Sequence, residues 1–413
     1  MQPTHLPVAT PFARPFYMMA KPAGSMCNLA CEYCYYLEKK DLYDSAGRQL
    51  MSYEVLENFI RQYIEAQTGP QVQFTWHGGE ALLRPLEFYQ KAVDLQHKYA
   101  GGRQIDNSLQ TNGLLLTDEW CRFLKEHNWL VGLSIDGPAR YHDEYRRDRA
   151  DNGSFQRVMR AATMLNRYGI EWNAMAVVND YNADHPLEFY NFFRTNGCRF
   201  LQFTPIVERL GSDGRLLSAD GNGEMAPFSI TPQQWGDFLI AVFDRWVRTD
   251  VGTMFVQIFD STLANWAGEL PGVCVYAPTC GHAGIIEHNG DVYSCDHFVF
   301  PEYRLGNIAS QTLVEMMYSP RQRQFGADKR DKLPGQCREC RFLFACNGEC
   351  PKNRFATTPQ GEPGLNYLCE GYRRFFSHVA PYMDFMKNEL DNKRPPANVM
   401  RHVEEIRAAH NKK

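Results

Sequence analysis

The chain of 413 residues lacks any apolar run long enough to cross a bilayer, which takes about twenty consecutive residues. It also lacks an excess of one charge sign: 44 Lys and Arg stand against 48 Asp and Glu, a net charge of −4. That balance leaves no electrostatic footprint for nucleic acid, and there is no acidic solvating tail. The N-terminal stretch MQPTHLPVATPFARPFYMMAK has neither a continuous apolar core nor a small-residue cleavage site, so it makes a poor secretory signal. No low-complexity segment interrupts the chain. These absences point to a cytoplasmic protein, and the length suggests two domains or one large barrel with an appendage.

An even cysteine count is missing too. Thirteen cysteines in a reducing compartment do not make a disulfide framework. Their positions are uneven. Cys27, Cys31 and Cys34 fall within eight residues, and eight more lie at Cys274, Cys280, Cys295, Cys337, Cys340, Cys346, Cys350 and Cys369. Cys121 and Cys198 stand alone in the apolar contexts EWCRFL and GCRFLQF, where Cys behaves as a small buried hydrophobe.

From residue 16 to about 208, extended and helical patterns alternate. FYMMAKP, QVQFTW, NSLQT, LVGLSID, WNAMAVV and RFLQFTPIV read as strands, and segments such as YEVLENFIRQYIEAQ and PLEFYQKAVDLQHKYA read as helices. Six such repeats imply a parallel sheet, too few for a closed eight-stranded barrel. The expected α/β fold is a partial (β/α)6 TIM-type barrel over residues 1–230, with a core at about 16–210. A cysteine-rich domain over 231–390 and a charged tail over 391–413 follow. The Gly/Asp/Ser-rich stretch GSDGRLLSADGNGEMAP, 211–227, is the best boundary candidate. Polar residues collect after the strands, at Gly78-Gly79-Glu80, Gln110-Thr111-Asn112, Ser134, Asp136, Asn179 and Gln202 with Thr204. Carboxyl ends of strands are where such sheets bind ligands.

The loop after the first strand carries C-x3-C-x2-C. Four thiolates close an iron–sulfur cube, so three leave one iron with a position for something else. A zinc ion completed by a distant His is the alternative. With Tyr33 just before its last Cys, this motif resembles that of the radical S-adenosylmethionine enzymes. There the open iron is chelated by S-adenosylmethionine, whose reductive cleavage yields a 5′-deoxyadenosyl radical that abstracts a substrate hydrogen. GGEA resembles the family's Gly-Gly-Glu-Pro turn, with Ala81 in place of proline. The resemblance implies cofactor contacts at Tyr33, Gly79, Ser134, Arg146 and Leu201.

The later string, ending CRECRFLFACNGEC and then Cys369, has thiolates for two complete [4Fe–4S] clusters or for two structural zinc ions. It resembles the SPASM extension of peptide-maturing radical enzymes. That resemblance implies a pairing of Cys274, Cys280, Cys295 and Cys350 on one cluster, and of Cys337, Cys340, Cys346 and Cys369 on the other. With the upstream loop, the expected load is three [4Fe–4S] clusters and S-adenosylmethionine.

From KPAGSMCNLACEYCYY onward, including NSLQTNG, LVGLSIDGP, FLQF and CDHFVFPEYRLGN, the chain resembles the anaerobic sulfatase-maturating enzymes. These oxidise one Cys or Ser of a sulfatase precursor to Cα-formylglycine. The implied partners are a Cys/Ser-x-Pro-x-Arg type segment of that precursor and an unidentified electron donor. Asp296, beside Cys295, corresponds to the family's base, with His297 as its rival on chemical grounds. Tyr36 and Gln110 are candidates for holding the substrate. Two other readings stand beside this one: a sibling SPASM enzyme forming thioether or carbon–carbon crosslinks, and a zinc-bound interaction module.

Overall fold

The computed structural model describes residues 15–43, 49–217, 221 and 223–410. The first fourteen residues of the signal-poor stretch, positions 44–48, positions 218–220 and 222 of the candidate linker, and the last three residues lie outside this description. Six strands follow the expected alternation: β1 Tyr17–Ala20, β2 Gln71–Trp76, β3 Gln104–Thr111, β4 Leu130–Ser134, β5 Trp172–Val178 and β6 Phe200–Pro205. The helices between and after them are α1 Tyr53–Ala66, α2 Leu86–Tyr99, α3 Asp118–Glu126, α4 Ala139–Tyr145, α5 Phe155–Tyr168, α6 Pro186–Thr195, α7 Pro232–Thr249 and α8 Gln257–Ala267. β3 begins three residues before the stretch NSLQT, because Gln104 already pairs with Gln71 of β2.

The chain forms two compact units that interleave in sequence. One takes the residues up to Leu133, Arg146–Glu171 and Cys280–Ala327; the other takes Ser134–Tyr145, Trp172–Thr279 and Asp328 onward. In the first unit, β1, β2, β3 and β4 lie side by side and parallel. Beyond β1 the sheet gains Ala283–Ile286, parallel to it, then the antiparallel strands Asp291–Tyr293 and Arg304–Asn307. Sequence order thus puts residues near 290 beside residues near 20.

Local chemistry explains the elements. Ser52 caps α1 by accepting from the Val55 N–H, and Leu56, Phe59, Ile60, Tyr63 and Ile64 bury one helical face. That face meets β2: the Tyr63 and Phe74 rings pack edge-on at 5.0 Å, and Trp76 stacks on Trp129 at 6.3 Å. Thr117 caps α3, on which Cys121 is wholly buried.

In the second unit, β5, β6 and Phe255–Val256 are parallel neighbours. A reciprocal capping box between Thr231 and Gln234 starts α7. The long helix Cys369–Asp391 packs against α7, with Phe375 and Tyr382 edge-on to Phe243. The two helices touch at glycines: a Cβ on Gly371 would stand 2.2 Å from the Pro232 carbonyl oxygen. Cys198 is also buried, just before β6. Within 391–413, Val403–His410 is helical and Val403 is buried. No helix among the described residues is long and apolar enough to cross a membrane.

Candidate active site

The three-cysteine loop leaves β1 at Ala20 and is tied to the exit of β2. The His77, Gly79 and Glu80 N–H groups donate to the carbonyls of Ala20, Gly24 and Met26 at 2.9, 2.8 and 2.7 Å. Gly79 is required by this fit. A Cβ there would lie 2.2 Å from the Met26 oxygen and 2.5 Å from the Ser25 oxygen. The family resemblance makes Gly79 a cofactor contact; the fold gives the glycine a cause of its own, because the cysteine loop occupies that space.

Glu80 fixes the other side. Its buried carboxylate accepts from the Thr111 hydroxyl at 2.7 Å, the Asn112 N–H at 2.8 Å and the Leu82 N–H at 2.9 Å. Burial pushes its pKa up against these donors. Asn112, so held, donates through Nδ2 to Asn28 at 2.7 Å and reaches Cys27 Sγ at 3.8 Å. The Leu29 N–H also points at Cys27 Sγ, at 3.3 Å. Burial pushes the Cys27 thiol up to about 12, so a bare thiolate is disfavoured there without a cation to receive it.

This donor set fits a cluster. Its sulfurs receive N–H groups at Cys27 and, from Tyr36 and Leu37, at Cys34, with Arg146 and Lys21 lending positive charge. Among the described residues, no three His, Cys, Asp or Glu side chains converge on one point as ligands of a single metal ion. Arg146, 7% exposed, donates from Nη1 to the Tyr33 hydroxyl at 3.0 Å, so these two expected cofactor contacts touch each other.

Asp296 lies in the same unit, far away in sequence. Its Oδ1 meets Lys21 Nζ at 2.6 Å and its Oδ2 accepts from the Tyr35 hydroxyl at 2.6 Å. Burial alone would raise this carboxyl, but the Lys21 ammonium beside it holds it well below the usual carboxylate range. Lys21 is fully buried, lies 4.1 Å over the Tyr36 ring and reaches His77 Nδ1 at 3.2 Å. Burial, with that ammonium, pulls His77 down to about 4. The His297 ring packs against Tyr35 at 5.2 Å. The buried Tyr36 donates its hydroxyl to Glu287.

Gln110 is the penultimate residue of β3, and Cys280 and Cys295 also belong to this unit. The Cys280 N–H donates to the Gly326 carbonyl at 3.0 Å. In the other unit, Ser134 ends β4 and Leu201 is the second residue of β6, 2% exposed. There Cys337, Cys340, Cys346 and Cys369 line one cavity of about 900 Å³, together with Arg341 and Arg373. These are the four that the SPASM resemblance groups. Burial pushes Cys346 up to about 12 and Cys369 up to about 11. Cys274 and Cys350 stand outside that lining.

Sequence reasoning missed Lys21, Tyr35 and His77, and had placed Asn112 only among the polar residues that follow the strands. Two of them carried a signal: Lys21 directly follows β1, and Tyr35 lies between Cys34 and Tyr36 beside the motif itself.

Comparison with known proteins decides the family. Residues 22–193 match the Radical SAM superfamily and residues 280–341 match the SPASM iron–sulfur cluster-binding domain. The serine-type anaerobic sulfatase-maturating enzyme of Bacteroides thetaiotaomicron is 64% identical over 396 residues, covering 95% of this chain and 96% of that one. The chain belongs to the anaerobic sulfatase-maturating enzymes. The cysteine-type enzyme of Clostridium perfringens is 32% identical, over 91% of this chain and 99% of that one. A solved structure, native anSMEcpe with bound AdoMet and Cp18Cys peptide, superposes with a TM-score of 0.81 at 31% identity, covering 91% of this chain and all of that one.

As a family member the chain has the partial (β/α)6 barrel and SPASM fold. It is a radical S-adenosylmethionine oxidoreductase that matures sulfatases by converting a Cys or Ser to Cα-formylglycine. Its cofactors are S-adenosylmethionine and three [4Fe–4S] clusters, and it acts on a peptide.

Proposed function

We propose that this enzyme oxidises a serine of its sulfatase precursor, within a Ser-x-Pro-x-Arg type segment, and that Asp296 takes the proton. Twice the identity to a serine-type relative as to a cysteine-type one supports the target residue. The observation that carries the mechanism is the grip on Asp296, held between Lys21, just after β1, and Tyr35 of the three-cysteine loop. It places a fixed carboxylate beside the loop that would hold the open cluster.

Cys27, Cys31 and Cys34 would hold that cluster, and Tyr33, Gly79 and Arg146 would border its cofactor. When bound, the cluster and S-adenosylmethionine supply the radical that removes hydrogen from the target Cβ. The chain's own residues then handle the proton. The remaining electron would pass to an auxiliary cluster as the serine hydroxyl gives its proton to Asp296. Because Lys21 holds that carboxyl low, Asp296 is charged beforehand and passes the proton on rather than keeping it. Gln110 and the Tyr36 ring hold the peptide, the Tyr36 hydroxyl being engaged by Glu287.

Cys337, Cys340, Cys346 and Cys369, gathered on one cavity, hold one auxiliary cluster, and the other ligands keep the pairing that the resemblance implies. The domains follow the sequence bounds 1–230, 231–390 and 391–413. The protein works in the cytoplasm with an unidentified electron donor. Paired Ser and Cys forms of one sulfatase-motif peptide test the target. Mass spectrometry after anaerobic incubation with S-adenosylmethionine and reductant should show loss of two hydrogens from the Ser form. Modification of the Cys form alone overturns the assignment.

A further inference from the structure

The second unit buries cations against the loops that carry its cysteines. Lys329, at 0% exposure on the helix Pro320–Asp331, donates from Nζ to the carbonyls of Cys274 at 2.5 Å and Val275 at 2.8 Å. Partly buried Arg354 spans the loop between Cys346 and Cys350. Its guanidinium donates to the carbonyls of Gly348 at 2.8 Å, Asn347 at 2.9 Å, Glu349 at 3.1 Å and Lys329 at 2.5 Å. Arg354 thus ties Lys329 to the second ligand loop.

These contacts fix the two cations against the backbone of the ligand loops. Glu349, a buried carboxylate on the loop between Cys346 and Cys350, is 4% exposed and accepts from Asn366 at 2.6 Å and Asn353 at 3.2 Å. Lysine and arginine are seldom fully buried, and an ammonium taken out of water is costly unless another charge answers it. A [4Fe–4S] cube with four thiolates carries net negative charge, and gains more on reduction. Its potential follows net charge, hydrogen bonding and exposure, with residues around the ligands setting these.

We propose that Lys329 and Arg354 are the built-in counter-charge of the auxiliary clusters, stabilising their reduced state so that they accept an electron. They are positioning and tuning residues rather than catalytic ones. The inference rests on the reading that the second unit's cysteines hold [4Fe–4S] clusters, but not on which cysteines pair.

The test uses the full chain with Cys27, Cys31 and Cys34 changed to Ala, so that only auxiliary clusters remain, reconstituted anaerobically. Lys329→Met and Arg354→Gln are compared with Lys329→Arg by iron analysis and an EPR-monitored reductive titration. Lys329→Met and Arg354→Gln should each move a midpoint to more negative potential with iron retained, while Lys329→Arg stays near the parent. In the background with all cysteines intact, Lys329→Met should lower formylglycine formed per 5′-deoxyadenosine. An unmoved midpoint in a fully loaded Lys329→Met protein overturns the proposal. So does equal loss of iron from Lys329→Met and Lys329→Arg, which would make the side chain's role one of shape. If the parent holds no iron at these cysteines, the cluster reading itself fails, and the iron analysis shows that separately.

Discussion

At the residue scale, Asp296 and its partners carry the sharpest expectations. Asp296→Asn keeps the side chain's size and can still accept from Tyr35, but it cannot take a proton. All three clusters should survive, since no ligand changes. Cleavage of S-adenosylmethionine to 5′-deoxyadenosine should continue, because that step does not need the base. Formylglycine should fall by about a hundred- to ten-thousand-fold, the usual scale for a lost general base. Product analysis by mass spectrometry separates the two outcomes, and His297→Gln is the control that should keep most activity. Near wild-type formylglycine from Asp296→Asn would move the role elsewhere. His77 gives a pH expectation. Its folded value of about 4 lies below the unfolded value of about 6.5. The unfolded chain therefore binds more protons between these values, and stability is lost as pH falls through that window. Going from about pH 7.5 to about pH 5.5 should cost about 1 kcal/mol through this ring, an upper figure because the ring keeps some exposure. His77→Gln should remove that increment from the pH dependence of the denaturation midpoint.

At the element scale, the loop after β1 depends on the exit of β2. Gly79→Ala would put a Cβ 2.2 Å from the Met26 oxygen, and backbone cannot yield as a side-chain tip can. The loop must move, so this variant should lose the first cluster and all cofactor cleavage while the auxiliary clusters stay. Iron analysis near about eight irons rather than about twelve would show it. These elements were largely legible beforehand. The six strands and their helices follow from periodicity, caps and Gly/Pro punctuation, which are local. The turn HGGE was recognisable, but the physical reason for Gly79 was not, because the obstructing atoms belong to residues some fifty positions earlier. Lys21, Tyr35 and His77 escaped for the same reason. Tyr35 and Asp296 are 261 positions apart, and the pairing of β1 with Ala283–Ile286 brings their segments side by side. The cysteines were legible because their chemistry is written in spacing, whereas Lys329 and Arg354 look like ordinary surface cations in sequence.

At the scale of the whole molecule, the eleven clustered cysteines and the two solitary ones make one quantitative statement. Three cubes require about twelve irons in reconstituted protein. Replacing Cys27, Cys31 and Cys34 with Ala should remove one cube and abolish cofactor cleavage. The other two should remain, since neither auxiliary set takes a ligand from that loop, and Cys337, Cys340, Cys346 and Cys369 gather on a cavity of their own. Cys121 and Cys198 belong to a different class. Both are buried, and burial pushes each thiol up to about 11. Changing either to Ser trades a thiol that tolerates apolar surroundings for a hydroxyl that needs a partner, at a cost of about 1–3 kcal/mol if none is found. Such a variant should melt earlier yet carry the full iron load. Loss of about four irons from Cys121→Ser or Cys198→Ser would instead make that residue a ligand, and the division into three, eight and two would have to be redrawn.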